Sequence, residues 1–461
     1  MKRVLALVIA LAGCDDLPPG PSLSSPTGPV PADPQRPGDP ERGYTALVNN
    51  GYVSCGIPYS VWTQVFGPQA SGIAGRQGHS ADLPYFLTAF TTPSGVEVVG
   101  PNCLTCHAGN INGQLVVGLG NTDQDLTSNL AGAVLLAAGL VTDPLEKAEY
   151  KKFADRVDAI APYIETRTVG VNSADNLGVV LFAHRDPRTL AWSERPLLAL
   201  PPTEPVPVDV PPWWRMSKKN AMFYNAAGRG DHARIMMTAS ALCTDSVSEA
   251  QAIDAYFPDV RAYIYSIEPP KWPFGTPDAQ LAERGQQVFA NNCADCHGTY
   301  GQGGQYPNLV VPVDEIGTDP MLALDAAGFA GRFVDWFNDS YYGEMGRYAP
   351  ARGYIAPPLD GVWATAPFLH NGSVPTIEAV LDSSQRPTYW SRSHVSTDYH
   401  HDALGWNFTT LDHGQDAEPD DTKRKQIYDT TLPGYSNQGH TYGDSLSADD
   451  RRAVLEYLKT L

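Results

Sequence analysis

Two short segments of the chain combine two thiols with an adjacent imidazole at one fixed spacing, Cys-x-x-Cys-His. Two vinyl groups on the edge of a haem react with thiols at this spacing, and the following histidine can then reach the iron. The pattern is therefore typical of covalent haem c attachment. Its residues are Cys103, Cys106 and His107 in the first segment and Cys293, Cys296 and His297 in the second.

Other uses of such cysteine pairs fit these segments less well. A structural zinc site needs four ligands, and neither segment has a second Cys or His pair close by in the sequence. A redox-active Cys-x-x-Cys pair does not require the following histidine. The sequence therefore predicts two covalently bound haem c groups, with His107 and His297 as iron ligands.

Three other cysteines complete the count of seven. A basic start, an apolar run over residues 4–12 and the small residues before Cys14 predict a signal peptide. Its end is similar to a bacterial lipobox, in which Cys14 is lipidated, and the alternative is an ordinary secretory signal with a chance cysteine. We predict that Cys55 and Cys243 form a disulfide, because leftover cysteines of exported proteins often pair.

The composition of the chain, in particular its proline and glycine content, predicts how the chain is organised. Pro (40) and Gly (42) are abundant, which favours a mainly α fold with long irregular loops. We predict a signal peptide over 1–14 and a flexible Pro/Gly-rich tether over 15–42. Two cytochrome c-like haem domains follow over 43–275 and 276–461. No later segment reaches transmembrane length, so we expect a periplasm-facing lipoprotein of the bacterial cell envelope, held at the membrane by lipid alone.

The first and last helices of the second domain have recognisable ends. Thr276 and Pro277 are suited to begin a helix that runs into the second haem motif. Ser447 and Asp450 resemble a capping box at the start of the last helix. The first and last helices of a cytochrome c fold cross, and Gly285 would permit their close approach. Two further helices are predicted over 143–164 and 249–267.

The formal net charge of −19 limits the classes of partner. A strongly acidic surface repels nucleic acid and attracts basic proteins, and small redox proteins are one such class. The alternative is that the acidity only keeps an exported protein soluble.

The second half also resembles a known family. Residues 357–373 read PPLDGVWATAPFLHNGS, which is similar to a segment of bacterial di-haem cytochrome c peroxidases. Four other segments resemble a narrower group, the rubber-oxygenase-like di-haem cytochromes. They are GYVSCGIP at 51–58, CLTCHAGNINGQLVVGLG at 103–120, KKNAMFY at 218–224 and SNQGHTYG at 436–443.

The resemblance implies a division of labour between the haems. The N-terminal haem, with His107 as its proximal ligand, would be reactive, and the C-terminal haem would be six-coordinate and carry electrons. The peroxidases supply a Met to the second iron from the helix after the His-Asn-Gly segment, but residues 377–384 contain none. The narrower group uses a second histidine, and His440 is our candidate distal ligand, with His370 as the alternative. More distant candidates are Met345, His400 and His401.

A stretch containing aromatic and basic residues lies between the two motifs. Trp213, Trp214 and Phe223 could relay electrons, form the wall of a reactive pocket, or simply pack in a core. Residues 118–121 are expected to make a tight turn near the first haem. The basic or imidazole side chains that could face a haem propionate or an open iron are Arg229, His232 and Arg234.

Two functional hypotheses follow from these features. In the first, the protein is an oxidoreductase of peroxidase or oxygenase type. Peroxide, dioxygen or an apolar organic substrate would react at the N-terminal haem, and the C-terminal haem would relay electrons from a small redox partner. In the second, both irons carry two protein ligands, and the protein transfers electrons without substrate chemistry. A haem-based sensor is a third interpretation, which we rank behind both.

Overall fold

The computed structural model describes residues 28–328 and 331–461. The predicted signal peptide, the predicted lipidation at Cys14 and the first part of the predicted tether lie outside these residues. Within them, short helices and small sheets alternate with long irregular segments, in line with the abundance of Pro and Gly. No helix in the described part is both long enough and apolar enough to span a membrane.

The helices are mostly short. The α-helices of the described residues are α1 (Pro40–Asn49), α2 (Tyr59–Phe66), α3 (Leu130–Ala138), α4 (Pro144–Ile164), α5 (Ala174–Ala183), α6 (His232–Met236), α7 (Val247–Asp254), α8 (Phe257–Ser266), α9 (Ala279–Asn292), α10 (Ala294–His297), α11 (Val313–Ile316), α12 (Met321–Gly328), α13 (Gly331–Asp339), α14 (Ile377–Leu381), α15 (Asp421–Arg424) and α16 (Ala448–Leu458). Short 3-10 helices cover Gly78–Asp82, Cys103–Thr105, Trp213–Lys218, Met237–Leu242, Tyr341–Glu344, Val362–Ala364, Ser383–Gln385 and Gln415–Ala417.

The strands form small antiparallel sheets. They are β1 (Gly28–Pro29), β2 (Ile57–Pro58), β3 (Leu87–Thr91), β4 (Glu97–Pro101), β5 (Ala108–Ile111), β6 (Gln114–Val117), β7 (Gly228–Gly230), β8 (Leu309–Pro312), β9 (Gly346–Tyr348), β10 (Gly353–Ile355), β11 (Tyr389–Arg392), β12 (Tyr399–His400), β13 (Gly405–Trp406), β14 (Phe408–Thr410) and β15 (Tyr428–Asp429). The strand orders are β1-β8-β10, β2-β4-β3, β14-β11-β15, β5-β6, β7-β9 and β12-β13. The pairs β1-β8 and β7-β9 therefore join the two halves of the chain.

The largest hydrophobic core draws on both halves of the sequence. Helices α1, α4, α5 and α8 supply its N-terminal part, and Trp336, Phe337 and Tyr342 pack into the same cluster. The Trp336 indole also donates a hydrogen bond to the carbonyl of Arg185 at 2.7 Å. The predicted boundary at 275/276 therefore does not separate the cores, because residues 331–348 belong to the N-terminal one.

Residues 28–42 lie against the N-terminal core. Arg36 forms ion pairs with Asp231 at 2.9 Å and Asp254 at 2.8 Å, and all three side chains are mostly shielded from water. Asp33 pairs with Arg347 at 2.9 Å. The tether predicted over 15–42 is therefore wrong for residues 28–42, because charges distant in the sequence hold this segment in place.

A break separates α7 from α8, where the sequence predicted one helix over 249–267. Pro258 lies in the first turn of α8 and has no N–H to donate to a preceding helical turn. The prediction of one helix is therefore wrong, and the two shorter helices meet at Tyr256, the residue before α8. The helix predicted over 143–164 matches α4, whose N-cap is Asp143.

Cys55 and Cys243 are joined in a disulfide across a sequence separation of 188 residues. Both cysteines are fully buried in the largest core. A crosslink over so long a loop restricts the unfolded chain and therefore favours the folded state.

The second core forms where α9 crosses α16. Gly285 is the contact point, since a Cβ added there would lie 1.9 Å from the Ala453 carbonyl oxygen. Ser447 begins α16 as predicted and accepts a hydrogen bond from the Asp450 N–H. The predicted start of α9 at Thr276 and Pro277 is wrong, because the Asp278 carboxylate caps the helix instead.

Gly285→Ala tests the helix crossing. Because the added methyl group would overlap the Ala453 carbonyl, the helices must separate, and overpacking of this kind costs about 1–3 kcal/mol. We expect a fall of that size in the free energy of unfolding, measured by urea denaturation. Alanine stabilises a helix by about 1 kcal/mol relative to glycine, so a loss of stability in Gly285→Ala must come from the helix crossing. Gln287→Ala on the exposed face is the control, and equal stability of Gly285→Ala and wild type would contradict the crossing.

Candidate haem sites

The first Cys-x-x-Cys-His segment is one tight turn. Residues Cys103–Thr105 form a 3-10 helix, which begins where the Asn102 side chain accepts a hydrogen bond from the Leu104 N–H. The His107 N–H then donates to the Cys103 carbonyl at 3.0 Å. This turn brings the two cysteines and the imidazole together, as covalent attachment to one haem requires.

The predicted turn at 118–121 supports that segment. The Gly118 N–H donates to the His107 carbonyl at 2.9 Å, and the Asn121 N–H donates to the Cys106 carbonyl at 2.8 Å. The Asn121 amide group also donates to the Thr105 carbonyl at 3.0 Å. The role of this turn is therefore structural, because it fixes the backbone that carries the thiols.

The side chains of the first segment line an internal space. Burial raises the pKa of the Cys103 thiol to about 11, and burial also raises the pKa of the Cys106 thiol. Both residues nevertheless keep intermediate exposure, as does His107. Groups that lie deep and still have accessible surface face an enclosed cavity. This arrangement fits a haem held by two thioether bonds.

The protonation state of His107 suits metal binding. Burial lowers its pKa to about 4, and the nearby Pro211 carbonyl opposes this effect only partly. The ring is therefore neutral near pH 7 and keeps a lone pair for a metal. Its closest aromatic partner is the buried Trp213, whose ring stacks at 4.7 Å between centroids and an angle of 24°.

The second segment has the same turn on a different support. The Cys293 residue ends α9, and the His297 N–H donates to the Cys293 carbonyl at 3.0 Å within α10. The His297 Nδ1–H donates to the Pro357 carbonyl at 2.8 Å. This hydrogen bond fixes the tautomer, so that Nε2 carries the free lone pair for iron.

His440 is the histidine that the structure brings to His297. The two ring centroids are 6.1 Å apart, with 57° between the planes. Two imidazoles on opposite sides of one metal have ring centres about 6 Å apart, given metal–nitrogen bonds of about 2 Å. Burial lowers the pKa of His440 to about 4, so this ring is also neutral. The pair therefore fits a haem iron between two imidazoles.

Arg386 holds the loop that carries His440. Its guanidinium donates to the backbone carbonyls of Asn437 at 2.7 Å, Gly439 at 2.6 Å and His440 at 3.1 Å. Gly439 has a φ of +74°, and a Cβ there would lie 2.1 Å from Gly317. The loop consequently needs both the guanidinium and the glycine to place the imidazole.

The structure places the other predicted ligands elsewhere. The His370 ring stacks on Tyr354 at 4.1 Å, and burial lowers its pKa to about 3. His401 stacks on Phe274 at 4.0 Å, and His400 is exposed in β12. The Met345 side chain is 42% exposed. None of these four contacts His297 in the described part of the chain.

The remaining predicted side chains have separate partners. Phe223, 37% exposed, lies 6.3 Å from the Tyr348 ring. The partners of the basic and imidazole candidates are the Ala226 carbonyl for Arg229, Tyr265 for His232, and Asp254 with Tyr341 for Arg234. These contacts account for Arg229 and Arg234, whereas the buried Nε2 of His232 has no hydrogen-bond partner among the described residues.

The 3-10 helix Trp213–Lys218 connects the two sites. Trp213 stacks on His107, and the next residue, Trp214, donates its indole N–H to the Asp360 carbonyl at 2.8 Å. Asp360 lies in the same short loop as Pro357, whose carbonyl holds His297. Both tryptophans are buried. The predicted relay residues Trp213 and Trp214 therefore connect His107 to the loop that holds His297.

Sequence reasoning missed three side chains of the sites. Arg386 positions His440, while Arg215 and Lys219 lie deep near the connecting helix. A lysine or arginine in an irregular segment gives no local signal of burial, because its depth depends on distant residues. The sequence singled out Lys218 and Lys219 only within the segment 218–224, which resembles the rubber-oxygenase-like di-haem cytochromes.

Two family models match segments in the second half of the chain. Residues 282–345 match the family model described as cytochrome c. Residues 353–391 match the model described as RoxA-like, cytochrome c-like. The first match contains the second Cys-x-x-Cys-His segment, and the second contains the whole of residues 357–373 around His370.

Two relatives come from Sinorhizobium fredii (strain NBRC 101917 / NGR234), and both are described as uncharacterized. Protein y4iJ is 30% identical over 290 residues, which cover 48% of this chain and 46% of y4iJ. Protein y4iM is 30% identical over 239 residues, which cover 44% of this chain and 53% of y4iM. The chain spans about half the length of these relatives. The matched domains support a c-type cytochrome related to the RoxA-like proteins.

Proposed function

We propose that this protein is an exported di-haem oxidoreductase, in which the first haem reacts with peroxide or dioxygen and the second supplies electrons. The observation that carries the proposal is the difference between the two proximal histidines. His297 has a second imidazole, His440, at a distance suited to the opposite side of one iron. Within residues 28–328 and 331–461, no other histidine ring pairs with His107, whose ring neighbour is Trp213.

This difference assigns separate roles to the sites. A haem with one protein ligand offers an iron face where a small molecule can bind and accept electrons. His107 keeps its imidazole neutral through burial, and Trp213, which stacks on it, belongs to the largest hydrophobic core. His440 and His297 together leave no free face at the second site, which suits electron transfer.

The connecting helix supports transfer between the sites. Trp213 contacts the His107 ring, and Trp214 is tied to the loop that positions His297. Aromatic side chains in direct contact with a ligand of each site shorten the distance that an electron must cross. We propose that this helix is the relay.

The proposed location is the bacterial cell envelope. The buried disulfide supports an oxidising compartment outside the cytoplasm. The net charge of −19 supports a basic redox protein as the electron donor. Lipidation at Cys14 and a membrane anchor of lipid alone remain parts of the proposal.

Electron paramagnetic resonance of the oxidised protein tests the proposal. After two haems per chain have been measured by pyridine haemochrome absorbance, we expect one high-spin and one low-spin ferric signal. The high-spin signal should change on addition of a small ligand such as azide. Two low-spin signals that azide leaves unchanged would contradict the reactive site and favour an electron-transfer protein without substrate chemistry.

His440→Ala tests the second site. Removing the imidazole leaves the iron with His297 alone, so the low-spin signal should convert to high-spin. The first site should keep its spectrum, because His440 does not contact it. His400→Ala is the matched control, since that ring is exposed and bonds only locally. An unchanged low-spin signal in His440→Ala would assign the ligand to another residue.

Trp214→Phe tests the relay. The substitution keeps an aromatic ring but removes the indole N–H that donates to Asp360. We expect electron transfer from the second haem to the first to slow about tenfold, equivalent to about 1.4 kcal/mol in the barrier. Stopped-flow absorbance after rapid reduction measures the rate. Trp390→Phe is the control, because its buried indole also donates to a backbone carbonyl, at Ser373. Equal rates in both variants would contradict the relay.

A further inference from the structure

Lys219 is a deeply placed lysine without a partner for its charge. It follows directly after the 3-10 helix Trp213–Lys218. Burial, together with the nearby charge of Arg215, lowers its pKa to about 8. In the part of the chain that the structure describes, its ammonium makes no ion pair and no hydrogen bond. The residue keeps intermediate exposure, so a ligand can reach its side chain.

Arg215 is a second buried cation beside it. Its Nε–H donates to the Asp360 carbonyl at 3.0 Å, and Nη2 lies 3.5 Å from the Thr365 hydroxyl. Burial lowers its pKa, and no carboxylate forms an ion pair with it among the described residues. These neutral acceptors do not cancel the charge of the guanidinium.

The nearest acids do not balance these two cations. The Asp360 carboxylate already pairs with the Lys218 ammonium at 2.6 Å. Burial raises the pKa of Asp209 to about 8, so this group is mostly protonated near pH 7. The other titratable groups near Arg215 and Lys219 are neutral or basic, namely Tyr224, Tyr300, His232 and His297.

An interior with two cations and no anion is unfavourable. Burying a charge without a partner costs several kcal/mol, on the order of the stability of a whole domain. Such a cluster is stable when a ligand brings the missing negative charge. Carboxylates suit both side chains, since guanidinium and ammonium groups donate strong charge-assisted hydrogen bonds to them.

The position of the cluster identifies the source of the carboxylate. Trp213, two residues before Arg215, stacks on His107, and the charge of Arg215 lowers the pKa of His297. Arg215 therefore lies on the element that contacts His107, close enough to His297 to act on it, and Lys219 lies beside Arg215. A haem carries two propionate groups on the edge opposite its thioether bonds.

We propose that Lys219 and Arg215 form a carboxylate site that holds haem propionates between the two haem-attachment segments. The proposal rests on haem occupancy at these segments, but not on reaction with peroxide or dioxygen. Lys219 then has two effects: it fixes the haem edge, and it raises the reduction potential, because a nearby cation disfavours the oxidised iron. A free carboxylate is the other possible source of the same chemistry.

Spectroelectrochemical titration of Lys219→Met tests this site. Removing the cation should raise the ratio of oxidised to reduced haem about tenfold at a fixed potential, which is a fall of about 59 mV in one midpoint. Lys219→Arg keeps the charge and should stay close to wild type. Lys147→Met is the control, since it removes the same charge from an exposed side chain, where water screens it.

The haem content of each variant must be measured beside its midpoint potential. Thioether bonds hold the haems, so pyridine haemochrome absorbance should show two per chain in Lys219→Met, and a lower value would overturn simple propionate binding. Equal midpoints in wild type and Lys219→Met would also overturn it. A shift that requires added acetate, and that Lys219→Met abolishes, would assign the site to a free carboxylate instead. No step uses peroxide or dioxygen, so failure here is distinct from failure of the proposed reaction.

Discussion

The backbone carbonyl of Asp360 is the junction on which the relation of the two sites depends. It accepts hydrogen bonds from the Trp214 indole at 2.8 Å and from Arg215 at 3.0 Å. The same short loop presents the Pro357 carbonyl to His297. One loop thus holds His297 and is hydrogen-bonded to the helix that touches His107, so the positions of the two predicted ligands are coupled through it. Two attachment motifs separated by nearly 190 positions in the sequence thereby become one unit.

Each imidazole in this unit can bind a metal only if its ring stays neutral and is correctly oriented. Burial keeps the rings neutral, since desolvation lowers the pKa of His107 and His440 to about 4. The orientation of the His297 ring is fixed by its hydrogen bond to the Pro357 carbonyl. The position of His440 is fixed by the hydrogen bonds that Arg386 donates to the backbone of its loop. One arginine that satisfies several carbonyls is a rigid support, because its planar guanidinium fixes the directions of its donors. The irregular loops are thus held as precisely as helices.

Local patterns in the sequence predicted the features that depend on few neighbours. The two attachment turns, the capping of α16 by Ser447 and the close approach at Gly285 all follow from short spacings. The pairing of Cys55 with Cys243 followed from elimination among few cysteines. Features that depend on distant charges were missed, such as the ion pairs that hold Arg36 against Asp231 and Asp254. The inclusion of α13 in the N-terminal core was missed for the same reason, since its apolar face fits either core equally well by pattern.

The two sites differ because different elements pack beside His107 and His297. The second site receives His440 because a glycine with positive φ and an arginine clamp bring one loop to within 6.1 Å of His297. The first site has no such loop in the described residues, and the element nearest His107 is the helix that carries Trp213. That helix also carries Arg215 and leads to Lys219, so the same element offers an aromatic contact and buried positive charge. Positive charge in a dry interior favours the arrival of an electron, since the low dielectric leaves it unscreened. The fold therefore places positive charge on the element that joins the two sites, and the charge of Arg215 reaches His297 at the second.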